Sequence, residues 1–210
     1  RQIATIVLHE EMSEESAVAV ARSEENLDSR EWGDFAGTYL LSPGYALTIR
    51  QHENKMLIRT TGQEEVPMRP ETSNRFFVDA YGTTVSFKPD QDKRSVMLEF
   101  MGMYAKRVVP FVPSLEELEA FTGTYFSEEL LTSYDFIIRD GGLVLKHKRR
   151  GSEPLYPTVM DQFSEDMADD FGINQPWFRS FDFERAANGS ITGCRLSVAG
   201  AQDVWFEKTN

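Results

Sequence analysis

The residues that could do chemistry in this chain are few and stand apart. His9, His52 and His147 are isolated, without the H-x-x-x-H or C-x-x-C pairing that holds a metal ion. Histidines so placed read as surface or hydrogen-bonded polar residues. The acidic stretch from Asp166 to Trp177 fails as a calcium loop. Its third position is Ala168, its glycine falls one place late at Gly172, and Trp177 stands where the bidentate glutamate belongs. Gly189-Ser190-Ile191-Thr192-Gly193 resembles a nucleophile elbow, but its serine comes one place too early. It reads instead as a hairpin turn with a bulge at Gly193. No S-x-x-K motif occurs, and Cys194 lies in an expected strand, where core is the better reading than nucleophile. As the single cysteine, Cys194 also excludes an internal disulfide. The side chains therefore indicate no catalytic residue, no metal and no cofactor.

Two features outlast this sieve. "KHKRR", from Lys146 to Arg150, is the one basic cluster on an acidic chain, and reads as a solvated hairpin end or as an anion site. The other is the segment "SEDMADDFGINQPWFRS", which brings Asp169, Asp170, Phe171, Trp177, Phe178 and Arg179 into one loop. Long loops in compact domains often carry function, and Trp and Arg favour interfaces. This loop is the candidate interface or gate; folding back on its own domain is the other reading.

The chain of 210 residues carries a net charge of −12, which argues against nucleic-acid binding and disfavours an anionic membrane surface. No apolar run approaches the roughly 20 residues of a membrane-spanning helix. Hydrophobic residues at 40 % are enough to fill compact cores.

The elements that must hold the loop follow from periodicity. Residues 1–30 show helical spacing at Ile3, Ile6 and Val7, then an Ala- and Glu-rich run after Ser13. They are expected to form a helical remnant or linker from an upstream domain. The apolar face of the first helix would pack on that domain or on a wall of this one. From Trp32 onward the period becomes two. "YALTIRQ" and "KMLIRTT" alternate across His52-Glu53-Asn54, and "RFFVDA", "TTVSFKP", "SVMLEFM" and "MYAKRV" follow, separated by Gly, Pro and Asp. "PFVPSLEELEAF" interrupts the pattern with a capped helix, Ser114 at the N-cap and Glu117 three residues on.

A second unit then repeats the first. "FAGTYLLSPG" at 35–44 returns as "FTGTYFSEEL" at 121–130, an offset of 86. Ile49-Arg50 matches Ile138-Arg139, Pro67 and Pro70 match Pro154 and Pro157, and Phe76 matches Phe163. Val85-Ser-Phe87 matches Phe181-Asp-Phe183 with nine extra residues inserted (96 − 87), and Tyr104-Ala-Lys106 matches Phe206-Glu-Lys208. Each unit holds about eight strand candidates. The fold expected is all-β: two tandem eight-stranded antiparallel barrels, residues 31–109 and 110–210, after a short helical N-terminal segment. A sandwich of the same strands is the other arrangement. Asp140-Gly141 and Asn188-Gly189 are expected as type I′ hairpin turns. Large residues such as Phe76, Phe87, Phe136 and Phe183 favour filled barrels over hollow ones.

Gly with an aromatic two positions later on the first strand resembles the Gly-x-Trp opening of lipocalin-type barrels, where the aromatic plugs the closed end. The longer pattern "LEELEAFTGTYFSEEL…YDFIIRDGGLVLK…PLYP…FDFER…NGSITGCRLS…VWFEK" resembles the C-terminal lipocalin-like domain of bacterial β-lactamase- and penicillin-binding-protein-like serine hydrolases. That group includes D-aminopeptidases, some with two such barrels in tandem. "RQIATIVL" resembles the last helix of their catalytic domain. The family's Ser-x-x-Lys, Tyr-x-Asn and third motif are missing here, so no catalytic residue carries over. The resemblance implies a non-catalytic accessory domain that shapes substrate access or assembly. Its partners would be the upstream catalytic domain of the same polypeptide and, in an oligomer, another copy. The function alternative from a different class is a free-standing module with a small apolar ligand inside a barrel.

Overall fold

A computed structural model describes residues 29–89, 96–147, 151–166, 179–198 and 200–209, with side chains from 32 onward. It contains two closed eight-stranded barrels. The first comprises β1 (Gly37–Ser42), β2 (Tyr45–His52), β3 (Lys55–Thr60), β4 (Val66–Thr72), β5 (Arg75–Val78), β6 (Thr83–Pro89), β7 (Val96–Phe100) and β8 (Met103–Val108). The second comprises β9 (Gly123–Ser127), β10 (Thr132–Arg139), β11 (Gly142–His147), β12 (Gly151–Pro157), β13 (Gln162–Ser164), β14 (Ser180–Arg185), β15 (Ile191–Val198) and β16 (Ala201–Lys208). Each strand pairs antiparallel with the next, and the last returns to the first, so neither sheet has a free edge. The helices expected before residue 29 lie outside the described residues.

Alternation sets which side chains enter each barrel. Met56 and Ile58 on β3, and Phe76 and Val78 on β5, are fully buried, whereas Lys55, Arg59 and Arg75 face out. The interiors are solid. Tyr39, Phe76, Phe87 and Phe100 fill the first, and Tyr125, Phe136, Phe163, Phe181 and Phe206 the second, each at most 1 % exposed. Burying each such ring stabilises the fold by about 1.5–3 kcal/mol. Edge-on contacts such as Phe121 against Phe163 at 4.9 Å and Phe183 at 5.0 Å add directional preference.

A helical turn plugs the same end of each barrel. Before the first, a 3-10 turn at Ser29–Phe35 sets Trp32 edge-on against Phe76 at 5.3 Å and stacks Phe35 on Phe87 at 4.4 Å. Before the second, α1 (Leu115–Glu119) buries Leu118 and leads to Phe121. Its start is a full capping box: Ser114 Oγ accepts from Glu117 N at 3.2 Å, and the Glu117 carboxylate accepts from Ser114 N at 2.7 Å.

Register refines the repeat. Gly37 pairs with Ile49 and Gly123 with Phe136, so Ile49 corresponds to Phe136 rather than to Ile138. Tyr39 pairs with Arg107 and Tyr125 with Lys208, so Lys208 corresponds to Arg107 and not to Lys106. In both cases the sequence match followed a similar dipeptide: the first is two residues out of register on the same face, the second one residue out and therefore on the opposite face. The Asp140-Gly141 turn has both residues at positive φ, 53° and 79°. Asn188-Gly189 differs: only Gly189 is left-handed (φ 86°), and Ala186 N donates to Ser190 O at 2.8 Å across a longer loop. Asn188 serves instead as a side-chain acceptor, its Oδ1 taking the Ser190 amide at 3.0 Å. The register slip nearby places the extra residue at Thr192, next to Gly193.

Candidate interface at the barrel junction

Strand β13 brings the second barrel against the first. Gly44, in the turn between β1 and β2, is held on both sides of its peptide. Its N–H donates to Gln162 Oε1 at 3.0 Å, and its carbonyl accepts from Ser164 Oγ at 2.7 Å, both buried. Gln162 is fixed in turn, because Thr158 Oγ1 donates to its Oε1 at 2.8 Å and its Nε2 donates to Asp182 Oδ1 at 2.6 Å. These contacts orient a glutamine otherwise free to flip. A Cβ on Gly44 would stand 2.7 Å from that of Ser164 and 2.8 Å from that of Ser180, and its φ of 76° favours glycine as well.

The expanded connection between β13 and β14 begins and ends at this junction. Asp182 lies three residues past its exit at Arg179, and its entrance, Glu165-Asp166, reaches the first barrel. There Gln63 Nε2 donates to Asp166 Oδ1, with Gly62 packed beneath. The two ends are tied together. Arg179 donates through Nη2 to Glu165 Oε1, and its backbone N–H donates to Glu165 Oε2 at 3.1 Å. The Arg179 guanidinium lies 5.8 Å from the centroid of the Tyr134 ring. Burial works against its charge, yet hydrogen bonding and proximity to Glu165 prevail and raise its pKa further. Its Nη1 has no hydrogen-bond acceptor among the described residues.

Of the interface residues expected from sequence, Arg179 is therefore an anchor, only 7 % exposed. Asp169, Asp170, Phe171, Trp177 and Phe178 lie outside the described residues, as do residues 148–150 of the basic cluster. Sequence reading missed Gly44, Gln162 and Ser164. A Gly in a turn and an ordinary strand pair, 118 and 120 positions apart, carry no local mark of meeting.

Beside the junction lies a groove of about 470 Å³. Thr38, Thr48 and Arg59 of the first barrel form one side, and Val112, Pro113 and Tyr156 of the linker and second barrel form the other. Elsewhere, His147 Nε2 lies 3.4 Å from Thr132 Oγ1 on the second barrel. Cys194 is fully buried, and burial raises its thiol pKa, which keeps it protonated and unreactive. Among the described residues no group of three or more His, Cys, Asp or Glu side chains could hold a metal ion, and no helix is long and apolar enough to cross a membrane. The class defined by the described residues is thus a pair of filled antiparallel barrels joined by a polar, buried seam.

No protein-family model matches the chain, and no curated protein matches it significantly.

Proposed function

We propose that this tandem barrel is a non-catalytic accessory unit of a β-lactamase-like serine hydrolase. Its two lipocalin-like barrels would present the Glu165–Ser180 connection to the catalytic domain, and so shape substrate access or assembly. The observation that carries the reading is the anchoring of that connection. Its ends are clamped by buried Arg179 and Glu165, and its base is fixed on the first barrel through Gly44, Gln63 and Asp166. Ends fixed in this way reduce the entropy lost when the connection meets a partner. The equivalent connection of the first barrel is a single 3-10 turn, Asp79–Tyr81. Filled interiors support a scaffold role over the alternative of a small apolar ligand held inside a barrel.

Two assays test this. The chain alone, given chromogenic esters, cephalosporins and D-amino-acid amides, should show no turnover; turnover abolished by one substitution in this chain would sink the proposal. In a full-length hydrolase carrying the unit, deleting residues 167–178 should broaden substrate acceptance or shift KM while the nucleophile stays intact. An unchanged substrate profile and an unchanged oligomeric state would together remove the role assigned to the loop.

A further inference from the structure

The linker Val109-Pro110-Phe111-Val112-Pro113-Ser114 joins β8 to α1 without helix or strand. Its backbone is restricted nearly throughout. The pyrrolidine rings fix φ at about −65° in Pro110 and Pro113, and each proline pushes the valine before it into extended conformations. Ser114 continues in the same state, at φ −69° and ψ 165°. This is the polyproline II region, in which the chain turns about once every three residues. Exposure follows that period. Phe111 points inward: it is 8 % exposed, its ring meets Phe121 and Phe163 edge-on at 6.1 and 6.0 Å, and its N–H donates to Thr158 O at 3.0 Å. Val109 and Val112, on another face, are 86 % and 83 % exposed, and Leu115 at the start of α1 extends their stripe. Pro110 is exposed and Pro113 half-buried. Among the described residues no hydrogen bond uses the carbonyls of Pro110 or Val112. Single exposed apolar side chains are ordinary, but two Val-Pro pairs in line on a preset backbone form a patch that a groove can read.

We propose that this linker is a docking segment for a small partner domain whose groove is walled by aromatic rings, the chemistry by which SH3- and WW-type domains take polyproline II ligands. Each Val-Pro pair fills one slot between rings, and a donor on the partner reaches the Pro110 or Val112 carbonyl. Phe111, the residue between the pairs, faces the second barrel and holds the segment in place. Because the backbone is already extended and anchored, docking orders little chain, which suits a contact of this size. A second copy of this chain fits the stripe less well. Each side of a stable dimer contributes about 20–30 residues, whereas this surface offers Val109, Pro110, Val112, Pro113 and Leu115. Arg107, ahead of Pro110 on β8, is committed to Asp34 O and to the Tyr39 ring, so recognition rests on the Val-Pro pairs and not on that cation.

The test titrates the whole chain into a panel of isolated, isotope-labelled SH3, WW and EVH1 domains and follows their chemical shifts. At least one domain should bind, with shifts confined to its aromatic groove. The variant combining Val109→Asp and Val112→Asp alters only exposed side chains, so its circular dichroism spectrum and urea midpoint should match those of the parent. It should nevertheless bind at least about tenfold more weakly. Pro110→Ala with Pro113→Ala should weaken binding too, whereas Leu131→Ala, which trims an exposed leucine on the β9–β10 turn, should leave it unchanged. No domain of the panel binding with a Kd below about 1 mM, binding that survives the aspartate pair, or shifts outside the groove overturns the proposal. Sedimentation of the chain alone decides for a second copy. Self-association that the aspartate pair abolishes assigns the stripe to another copy of this chain and overturns the proposal as well.

Discussion

Tyr125 donates its phenolic hydrogen to the carbonyl oxygen of Phe121 at 2.9 Å, four residues back along the chain. Tyr39 does the same to Phe35 at 2.8 Å. In each barrel the bond ties the first strand to the helical turn that plugs one end. A cation from the last strand then covers the tyrosine: Arg107 at 5.7 Å from the Tyr39 ring, Lys208 at 5.7 Å from that of Tyr125. The same cation donates to the backbone of the plug, Arg107 to Asp34 O and Lys208 to Ala120 O. First strand, last strand and plug thus meet at one tyrosine, which explains why Phe-x-Gly-Thr-Tyr occurs twice.

Replacing either tyrosine by phenylalanine removes this bond and leaves a carbonyl without its donor. The expected cost is about 1–2 kcal/mol for each. Tyr125→Phe should cost more than Tyr39→Phe, because its bond is buried whereas the other is partly solvated. Urea unfolding monitored by tryptophan fluorescence measures both. Losses below about 0.5 kcal/mol in both variants would remove the closing role.

Gly44→Ala should loosen the barrel junction. The new methyl meets Ser164 and Ser180 under 3 Å, and the backbone is already left-handed. The combined cost is expected to exceed about 2 kcal/mol. Gly102→Ala and Gly200→Ala share the left-handed backbone (φ 78° and 84°) but point into open space, so only the conformational cost of about 1–2 kcal/mol applies. Thermal unfolding ranks the three. Hydrogen exchange should show the backbone amide of position 44 exposed only in the first variant, and equal behaviour of all three contradicts the seam described here.

Much of the fold was legible because barrels write a strong local signal. Alternating runs, turn residues and the repeated Phe-x-Gly-Thr-Tyr mark about eight strand candidates in each unit without any long-range information, and the pairing of last strand with first selects closed barrels over a sandwich. Pro70 and Pro157, and Phe87 and Phe183, fall in equivalent register positions. What escaped depends on partners far apart in sequence. Lys106 looked like the match for Lys208, but a slip of one residue moves a side chain to the other face of the sheet, and pairing selects Arg107. Asn188-Gly189 has the composition of a type I′ turn, yet the slip between Glu184 and Arg185 requires a longer loop. At the candidate site the loop stood out by length and Arg179 by residue type, but not as the loop's buried anchor. Nothing local distinguishes Arg179 as a buried cation rather than an exposed one.

The Arg179–Glu165 clamp predicts a coupled pair. Both side chains are largely buried, so removing one leaves the other charged without its counter-ion. Arg179→Leu alone should destabilise by about 3–5 kcal/mol, and Glu165→Leu by a similar amount. The double variant should recover a substantial part of that loss, because an apolar pair avoids desolvating two ions. A double-mutant cycle in urea reads the interaction directly. Simple additivity of the two single losses means that the clamp does not exist in solution.

Alkaline pH should weaken the fold, and the sign follows from the buried acids. Burial raises the pKa of the Cys194 thiol and of the Tyr39, Tyr45, Tyr81 and Tyr125 phenols above their ordinary values. A group whose folded pKa is raised holds its proton longer in the native state. Its contribution is therefore complete below the unfolded-state pKa and declines above it. For the thiol that decline starts near about pH 8.5, and for the phenols near about pH 10. Each group adds at most about 1.4 kcal/mol per pH unit while only its unfolded form ionises. Lys208 acts in the opposite direction, since its folded pKa is lowered, but its partial exposure keeps that term small. Urea midpoints should be flat from pH 7 to 8, fall gently to pH 10 and drop steeply beyond. Cys194→Ala should flatten the first decline and Tyr125→Phe should reduce the second, whatever either does to stability at neutral pH. Midpoints that stay level through pH 11 contradict the burial assigned to these side chains.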